Sequence, residues 1–413
     1  MRCLFIMTQQ PLSPHSRGGG SAIFYDNLCS LHELGNEIHL WHYADPDSRR
    51  EFDKFVEGDG DIWSQVRSMC RSVNMTTLPG IRGLKNQTRR IIRKRIQRLF
   101  SDRPLRHPML RDPDLRSFAL PRLQRLIAEI RPEVIWACHL QPAWLAGLQT
   151  DVPVIYSHTD WLYRVLALRE GQAEDPAWRE DEEEAARRVA KVVSGSMVEC
   201  RQLQAIGCSS VDYVPVSYAV PPIHLNGQSL DSPRLVHFGD MGTTANQVGL
   251  LRFFETVWPG LKSESPDFWA VGDTTHAPPK LAQYLADVQC PGHVTEWTSV
   301  LRPYDIQIIP WEHSTGQRTR VPVAFGCGQV VVAVHAGVSG YPEARDGENC
   351  RLVERLDQMG AVIKELLNDP GQRGKLGKAA RMTFDTHFTR RALLPRYEAL
   401  MADLKSRGKD EAV

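Results

Sequence analysis

The stretch that decides the fold is residues 2–42, which read RCLFIMTQQPLSPHSRGGGSAIFYDNLCSLHELGNEIHLWH. Its first residues form an apolar run of strand length, and the periodic stretch at 23–34 is followed by Gly35, a residue type that commonly ends helices. A second apolar run follows at 37–42. Strand, helix and strand in this order predict a βαβ unit, which pairs its two strands in parallel.

The same alternation recurs along the chain in two series. The further strands predicted in the first series are 134–138, 153–157, 191–194 and 212–215. Those of the second series are 234–238, 267–271, 305–309 and 329–334. Val220-Pro221-Pro222 and the polar residues 226–233 lie between the series and are typical of a linker. The pattern predicts an α/β protein with domains at 1–220 and 221–388, followed by a terminal helix and tail at 389–413.

Composition places the chain among ordinary globular proteins. Its 413 residues are 42% hydrophobic, 24% charged and 8% aromatic, which excludes a disordered, collagen-like or membrane-spanning protein. The nine cysteines are scattered without C-x-x-C or zinc spacing, so we expect buried thiols in a reducing cytosol. Three Asp-x-Asp triplets, at 45–47, 59–61 and 112–114, have proline or glycine between the acids and are typical of turns. The sequence therefore predicts a cytoplasmic protein without a metal site.

Two charged segments stand out. Residues 44–131 are too long for a plain loop and predict an insertion with helices of its own. Within it, 81–100 carries eight basic residues, no acid and apolar residues at helical spacing. Either this helix packs on the insertion's own core or it contacts an anionic membrane surface peripherally. Nucleic acid is disfavoured, because 50 basic residues nearly balance 49 acidic ones and no aromatic residues are interleaved with the basic ones of this helix. The acidic run at 180–184 predicts a solvated helix face with i,i+4 pairs.

Glycine-rich turns follow two of the predicted strands. Arg17-Gly18-Gly19-Gly20 precedes one helix, and Phe238-Gly239-Asp240-Met241-Gly242 precedes another. Such turns let the backbone approach a ligand, and the helix N-terminus that follows attracts negative charge. The first turn lacks G-x-G-x-x-G spacing, which disfavours a dinucleotide site. Further on, Arg318 and Arg320 form a fork suited to a diphosphate, or they are solvated loop residues.

Polar side chains follow two predicted strands that are consecutive in the first series. His139 comes directly after 134–138, and His158 and Asp160 follow 153–157. Ligands of open α/β sheets gather at the carboxyl ends of parallel strands. A lone histidine is more often structural, but two histidines and an acid at neighbouring strand ends favour a ligand site. We therefore treat all three as candidate catalytic residues.

The order of these motifs resembles that of the retaining nucleotide-sugar glycosyltransferases of family 4, in their polysaccharide-biosynthesis branch. The stretches that carry the resemblance are the first glycine turn, LGNEIHL at 34–40, HFGDM at 237–241, FWAVG at 268–272, GHV at 292–294, GQRTR at 316–320 and VVVA at 330–333. The resemblance implies the GT-B fold, with two Rossmann-like doubly wound parallel-sheet domains that face each other across a cleft and a C-terminal helix packed after the second sheet. It also implies transfer of a hexose-type sugar from a nucleoside-diphosphate sugar to a hydroxyl acceptor with retention. The acceptor would be a glycan, a glycolipid or a small molecule, and the nucleotide sugar would be a co-substrate with no further cofactor or metal.

The resemblance also assigns site residues. The donor-binding residues that it implies are Gly18, Gly19, Gly20, Gly239, Asp240, Gly242, Asn246, Gly272, Gly292, His293, Val294, Arg318, Thr319 and Arg320. His139, His158 and Asp160 would orient the transferred sugar or the acceptor. The family's E-x7-E carboxylates correspond to Thr315 and Val323, of which the second normally binds the ribose hydroxyls. This departure leaves open a catalytically degenerate GT-B protein that acts as a binding or assembly partner.

Overall fold

The protein is described by a computed structural model, which covers most of the chain. The described residues are 1–9, 11–14, 19–58, 60–79, 106–112, 114–148, 152–220, 223, 225, 227, 229–264, 266–294 and 296–410. Gly18 and the predicted basic helix at 81–100 lie outside them. In the described part, no helix combines the length and the apolarity that a membrane crossing requires.

Within the described residues, the N-terminal half forms a seven-stranded parallel sheet in the order β3-β2-β1-β4-β5-β6-β7. Its strands are β1 (Arg2–Thr8), β2 (Glu37–Ala44), β3 (Ser72–Thr77), β4 (Val134–Cys138), β5 (Val154–His158), β6 (Lys191–Ser194) and β7 (Val211–Tyr213). Its helices are α1 (Gly19–Glu33), α2 (Pro46–Gly58), α3 (Gly60–Ser68), α4 (Leu120–Ile130, after a π-helical turn at Leu115–Ala119), α5 (Leu140–Ala146), α6 (Leu162–Glu170), α7 (Pro176–Arg187) and α8 (Met197–Ala205).

The C-terminal half forms a six-stranded sheet over the described residues, in the order β10-β9-β8-β11-β12-β13. Its strands are β8 (Leu235–Phe238), β9 (Phe268–Val271), β10 (Gln289–Gly292), β11 (Ile306–Ile309), β12 (Val330–Val334) and β13 (Cys350–Val353). Its α-helices are α9 (Thr244–Thr256), α10 (Trp258–Leu261), α11 (Pro279–Leu285), α12 (Arg320–Gly326), α13 (His335–Val338), α14 (Met359–Asn368), α15 (Pro370–His387) and α16 (Arg390–Asp410). Short 3-10 turns lie at Lys262–Glu264, Trp297–Ser299 and Leu356–Gln358.

Both sheets share one topology, which locates the candidate site. In each, the first strand in sequence lies centrally, flanked by the second strand on one side and the fourth on the other. The direction of winding therefore reverses between β1 and β4 and between β8 and β11, and ligands bind outside the carboxyl ends of strands at such points. The prediction of two Rossmann-like doubly wound parallel sheets is confirmed.

The strands read as near-continuous apolar runs because helices cover both faces of each sheet. Every residue of β4 is buried, as is every residue of β12. The predicted strand at 134–138 agrees with β4 at both ends. The most regular part of the sequence pattern therefore identified the buried centre of each sheet.

The segment at 44–131 differs from the predicted insertion. Residues 46–77 continue the alternation through α2 and α3 to β3, which pairs in parallel with β2 at the sheet edge. The sequence of β3, Ser-Val-Asn-Met-Thr-Thr, is mostly polar because an edge strand is only partly covered. Neither β3 nor the short strands β10 and β13 were predicted, because each is brief, polar or interrupted by proline.

The acidic run on α7 also differs from its prediction, since two of its five acids are buried. Glu183 and Glu184 make the expected i,i+4 pairs with arginines on the helix surface. Glu182, however, is 1% exposed, accepts the N–H groups of Leu162 and Tyr163, and lies 2.9 Å from His107 Nε2. Asp181 is also 1% exposed and accepts the N–H groups of Arg106 and His107, so the two buried acids satisfy amides of other segments.

The chain crosses between the domains at two adjacent places. Tyr218, after β7, donates its N–H to Phe388 O at 3.1 Å, just before α16. Asp26 of α1 accepts the N–H of Ser217 at 3.0 Å and lies 3.4 Å from Arg390 Nε. The helix α16 then packs against the N-terminal sheet, with Tyr397 fully buried. The carboxyl ends of the two sheets consequently face each other across a cleft.

Candidate active site in the cleft between the sheets

A cavity of about 390 Å³ lies in the cleft at the switch points of both sheets. The residues that line it from the N-terminal domain include Thr8, Gln9, Gly20, Ala22, Phe24, His139, Thr159 and Asp160. Those from the C-terminal domain include Phe238, Gly239, Asp240, Asn246, Gly272, His293, Val294, Trp297, Trp311, Gln317, Arg318, Thr319, Arg320 and Val323. The cavity thus joins the ends of strands that are remote in sequence.

Arg320 is the first residue of α12 and is held by His237 of β8 and Asn246 of α9. Its Nη1 lies 3.0 Å from His237 Nε2, and its Nη2 donates to Asn246 Oδ1. Burial, and then the positive charge of Arg320, lower the pKa of His237 well below its usual value, so the ring is neutral and can accept from the guanidinium. Burial also lowers the pKa of Arg320 to about 9, which leaves it cationic at neutral pH. The side chain presents a fixed positive charge to the cavity.

Arg318 lies beside it and is positioned differently. Its Nη2 donates to Thr315 O at 2.5 Å, and its guanidinium carbon lies 5.5 Å from the centre of the Trp311 ring. Among the described residues, its buried Nε has no hydrogen-bond partner. Burial lowers its pKa below the usual range, whereas the nearby Asp160 counteracts that shift. An unpaired buried donor next to the cavity is suited to an anionic ligand.

The glycine turn after β8 closes the same wall. Asp240 Oδ1 accepts the N–H of Gly242 at 2.6 Å, and Asp240 O accepts from Asn246 Nδ2 at 2.7 Å. A Cβ at Gly239 would lie 2.5 Å from Asn246 Nδ2, and one at Gly272 would overlap the Gly239 carbonyl. Only glycine therefore allows the two turns and Arg320 to approach one another this closely.

His139 forms the opposite wall, in a backbone conformation that L-residues rarely adopt. Its φ is 81° and its ψ is 170°, a region populated almost solely by glycine. Burial lowers its pKa to about 4, so the imidazole is neutral at pH 7. Its ring lies edge-on to Phe24, with the ring centres 6.4 Å apart. Strain of this kind persists where the surrounding structure holds a side chain at a site.

Asp160 lines the cavity, whereas His158 lies behind it. Burial, and then the charge of Glu199, raise the pKa of Asp160 to about 7. His158 is 2% exposed, with its Nδ1 3.2 Å from Glu199 Oε2 and its ring edge-on to Tyr156 and Trp161. Its position indicates a supporting role for His158 rather than direct contact with a ligand.

The far end of the cavity is aromatic. The ring of Trp297 packs edge-on against those of Tyr218 and Phe238, with ring centres 5.3 Å and 5.9 Å apart. Val323, 1% exposed, and Val294 complete this end. A cationic end and an aromatic end within one cavity suit a ligand that carries phosphates on one side and a planar ring on the other.

The structure brings most of the predicted site residues together. Those found in the cavity lining are Gly20, His139, Asp160, Gly239, Asp240, Asn246, Gly272, His293, Val294, Arg318, Thr319 and Arg320. His158, Gly242 and Gly292 are not among the described lining residues, Gly19 starts α1, and Gly18 lies outside the described residues. Within the described residues, no group of three or more His, Cys, Asp and Glu side chains could hold a metal ion.

Sequence reasoning missed several residues of this site. In the sequence His237 stands out only as part of the motif at 237–241, and Trp297, Tyr218 and Glu199 carry no local signal of function. Each acts through a contact with residues that are distant in sequence. The sequence offers one signal for the aromatic residues around Trp297, which is that large side chains occur near the ends of predicted strands.

One family comparison bears on the C-terminal half. Residues 232–369 match the family model described as Glycosyl transferases group 1. The match spans β8 to α14 and so contains the arginines and the second glycine turn. Among curated proteins, none matches the sequence significantly.

Solved structures match nearly the whole length of the chain. Sucrose-phosphate synthase from Thermosynechococcus elongatus has a TM-score of 0.69 at 14% identity, covering 98% of this chain and 99% of that one. Anabaena HepE in complex with UDP and glucose has a TM-score of 0.63 at 13% identity, covering 98% and 100%. TarM of S. aureus, in complex with UDP and sugar ligands, has a TM-score of 0.66 at 10% identity, covering 97% and 99%. The chain has the GT-B fold, and the fold and the family match together support a GT-B glycosyltransferase.

Proposed function

We propose that the protein transfers a sugar from a nucleoside-diphosphate sugar to a hydroxyl acceptor, with retention of configuration at the anomeric carbon. The observation that carries this proposal is the cavity itself, which has arginines at one end, aromatic rings at the other and a neutral histidine with an acid on the facing wall. The presence of UDP in the HepE and TarM complexes supports a nucleotide as a ligand for this fold.

The donor fits the cavity in one direction. Its diphosphate binds Arg318 and Arg320 beside the turn at 239–242, and its base packs among Trp297, Tyr218 and Phe238. The sugar then lies where the two sheets face each other, within reach of His139 and Asp160. The acceptor enters from the N-terminal side.

Catalysis in such a site is positional and electrostatic. The bond between the anomeric carbon and the diphosphate oxygen breaks, the acceptor oxygen bonds to that carbon, and the acceptor proton leaves with the diphosphate or to solvent. Arg318 and Arg320 stabilise the negative charge that develops on the leaving diphosphate. His139, being neutral, can donate or accept a hydrogen bond with the sugar without repelling these cations.

The test is a binding and hydrolysis panel. We expect at least one of UDP, GDP, ADP and dTDP to raise the melting temperature and to bind measurably by calorimetry, and the corresponding nucleotide sugars to be slowly hydrolysed without acceptor. The absence of binding by every nucleotide would contradict the proposal. Product stereochemistry, read by NMR of the anomeric proton, tests retention separately.

A second function is favoured by one observation. The family that the sequence resembles has carboxylates at two positions where this chain has the uncharged residues Thr315 and Val323, and Val323 is buried. A degenerate GT-B protein would bind the nucleotide but neither hydrolyse nor transfer its sugar. The same panel separates the two functions, because binding without turnover for every donor supports the binding protein.

A further inference from the structure

Glu199, on α8 of the N-terminal domain, reaches across the cleft to the loop that carries the arginines. We call residues 315–320 the arginine loop. Glu199 is 1% exposed, and its Oε1 accepts the N–H of Gly316 at 2.9 Å. Its other oxygen lies 3.2 Å from His158 Nδ1 on β5. A single buried carboxylate therefore connects the N-terminal sheet to the arginine loop.

Neighbouring contacts hold the same two surfaces together. Met197 donates its N–H to Gly340 O at 2.8 Å across the cleft. A Cβ at Gly316 would overlap Asp160 Oδ1, and one at Gly195 would overlap the side-chain amide of Gln317. The backbone on each side of the cleft thus packs directly against a side chain of the other side. The arginine loop therefore has little freedom to move while the domains are in this arrangement.

The hydrogen bonds form a chain that ends on the ligand-binding group. Glu199 holds the amide of Gly316, the preceding carbonyl of Thr315 accepts from Arg318, and Trp311 packs on the same guanidinium and donates to Thr315 Oγ1 at 3.2 Å. Moving Gly316 therefore moves the acceptor that orients Arg318.

We propose that Glu199 is a positioning residue that fixes the arginine loop in its diphosphate-binding geometry only when the two domains are closed on each other. The inference rests on the proposed function for its ligand, a nucleoside diphosphate, but the contact itself is independent of it. Binding and domain closure are then coupled, because separating the domains removes the partner of the Gly316 amide and releases Arg318.

Ligand-free hydrogen–deuterium exchange tests the contact first. We expect residues 313–319 to exchange at least tenfold faster in Glu199→Ala and in Glu199→Asp, whose carboxylate is one methylene too short to keep both contacts. Glu199→Gln keeps an acceptor oxygen for Gly316 and should exchange within threefold of the parent protein. Glu182→Ala is the matched control, since Glu182 is equally buried but accepts amides only within the N-terminal domain.

Calorimetry with UDP, and with the best nucleotide of the panel, tests the consequence. We expect Glu199→Ala and Glu199→Asp to weaken nucleoside-diphosphate binding about tenfold, Glu199→Gln to restore it to within threefold, and Glu182→Ala to leave it unchanged. In turnover, the donor KM should rise more than kcat falls. A structural role alone would instead lower the melting temperature of both alanine variants without this split.

The outcomes separate the two proposals. Unchanged exchange at 313–319 in Glu199→Ala overturns the positioning role whatever the protein binds. Altered exchange with normal nucleotide affinity also overturns it, because the loop would then not need Glu199 for binding. If exchange is faster in Glu199→Ala but the parent protein binds no nucleotide, the contact stands and the proposed function is refuted instead.

Discussion

His139 has an unfavourable backbone conformation that places its side chain in the cavity. Its positive φ costs about 1 to 3 kcal/mol in a region that favours glycine. In return the imidazole is directed into the cavity, neutral and packed beside Phe24. The strain marks His139 more clearly as a site residue than its sequence context does.

We predict that His139→Gly is more stable than His139→Ala by about 1 kcal/mol, which reverses the usual order of these two residues in regular structure. Both variants lack the imidazole, but only alanine keeps a Cβ at φ 81°. Urea denaturation measures the difference, and sugar transfer should fall similarly in both. An alanine variant as stable as the glycine variant would show that the backbone relaxes.

Arg320 offers the direct test of the diphosphate end. We predict that Arg320→Ala weakens nucleoside-diphosphate binding by about 1.5 to 3 kcal/mol, the range for charge-assisted hydrogen bonds, while the protein stays folded. Arg345→Ala is the control, because Arg345 is in the same domain but exposed and paired with Glu348. Equal calorimetric affinities of the two folded variants would contradict the assignment of Arg320.

Asp160 makes stability depend on pH. Its folded-state pKa, raised by burial and by Glu199, is above its ordinary value of 3.8, so the folded state retains a proton that the unfolded chain has lost. The stability that the protonated form contributes is complete below pH 4 and is lost as the pH rises through about 7. We predict that the free energy of unfolding of Asp160→Asn, relative to that of the parent protein, increases as the pH rises from 5 to 8. A difference that is constant over this range, in urea denaturation, would contradict it.

At the scale of elements, the helix α12 contributes both a cation and an apolar side chain to the cavity. Arg320 starts the helix and Val323 follows it by three residues, so both face the cavity. A donor whose diphosphate binds Arg320 therefore places its ribose near an apolar side chain. Asn246 does not substitute, since its oxygen accepts from Arg320 and its nitrogen donates to Asp240 O.

We predict that ribose hydroxyls contribute little to binding. UDP and 2′-deoxy-UDP should bind within about tenfold of each other, or roughly 1.4 kcal/mol, by calorimetry. The reason is the missing carboxylate at Val323. A ribose preference well above tenfold would show that another cavity residue, such as His293, accepts from the hydroxyls, and a structure with bound UDP would identify it.

At the scale of the whole molecule, the last helix belongs to the first domain. Leu393, Tyr397, Leu400, Met401 and Leu404 of α16 are buried in the N-terminal core, and Tyr397 accepts from Asn27 Nδ2 at 2.7 Å. The chain therefore passes through both domains and returns, so that the two crossings lie side by side at Tyr218 and Phe388. The N-terminal domain therefore depends on sequence from the far end of the chain.

We predict that Tyr397→Ala costs about 3 to 5 kcal/mol, as for other large buried aromatic side chains. The N-terminal sheet should lose protection against hydrogen exchange first, although residue 397 follows the C-terminal sheet in sequence. Met382→Ala, at a side chain that is 69% exposed on α15, should leave stability unchanged. Loss of protection confined to the C-terminal sheet would show that α16 does not stabilise the first domain.

The sequence by itself determined the two parallel sheets, the glycine turn after β8 and twelve of the residues that line the cavity. Buried parallel strands such as β4 and β12 are continuous apolar runs, which can be recognised in the sequence. Glycine and arginine at strand-to-helix turns are local signals that can be recognised in the same way. The order of strands then places the ends of β1, β4, β8 and β11 at the switch points.

The tertiary structure alone decided which side chains meet. Glu199 and Gly316 are 117 residues apart, and Glu182 differs from its solvated neighbours on α7 only in what the fold places against it. His158 looked equivalent to His139 in sequence but lies behind the cavity, and α16 could have packed on either sheet. Local patterns encode the periodicity of burial, whereas the identity of the covering surface depends on contacts between segments that are distant along the chain.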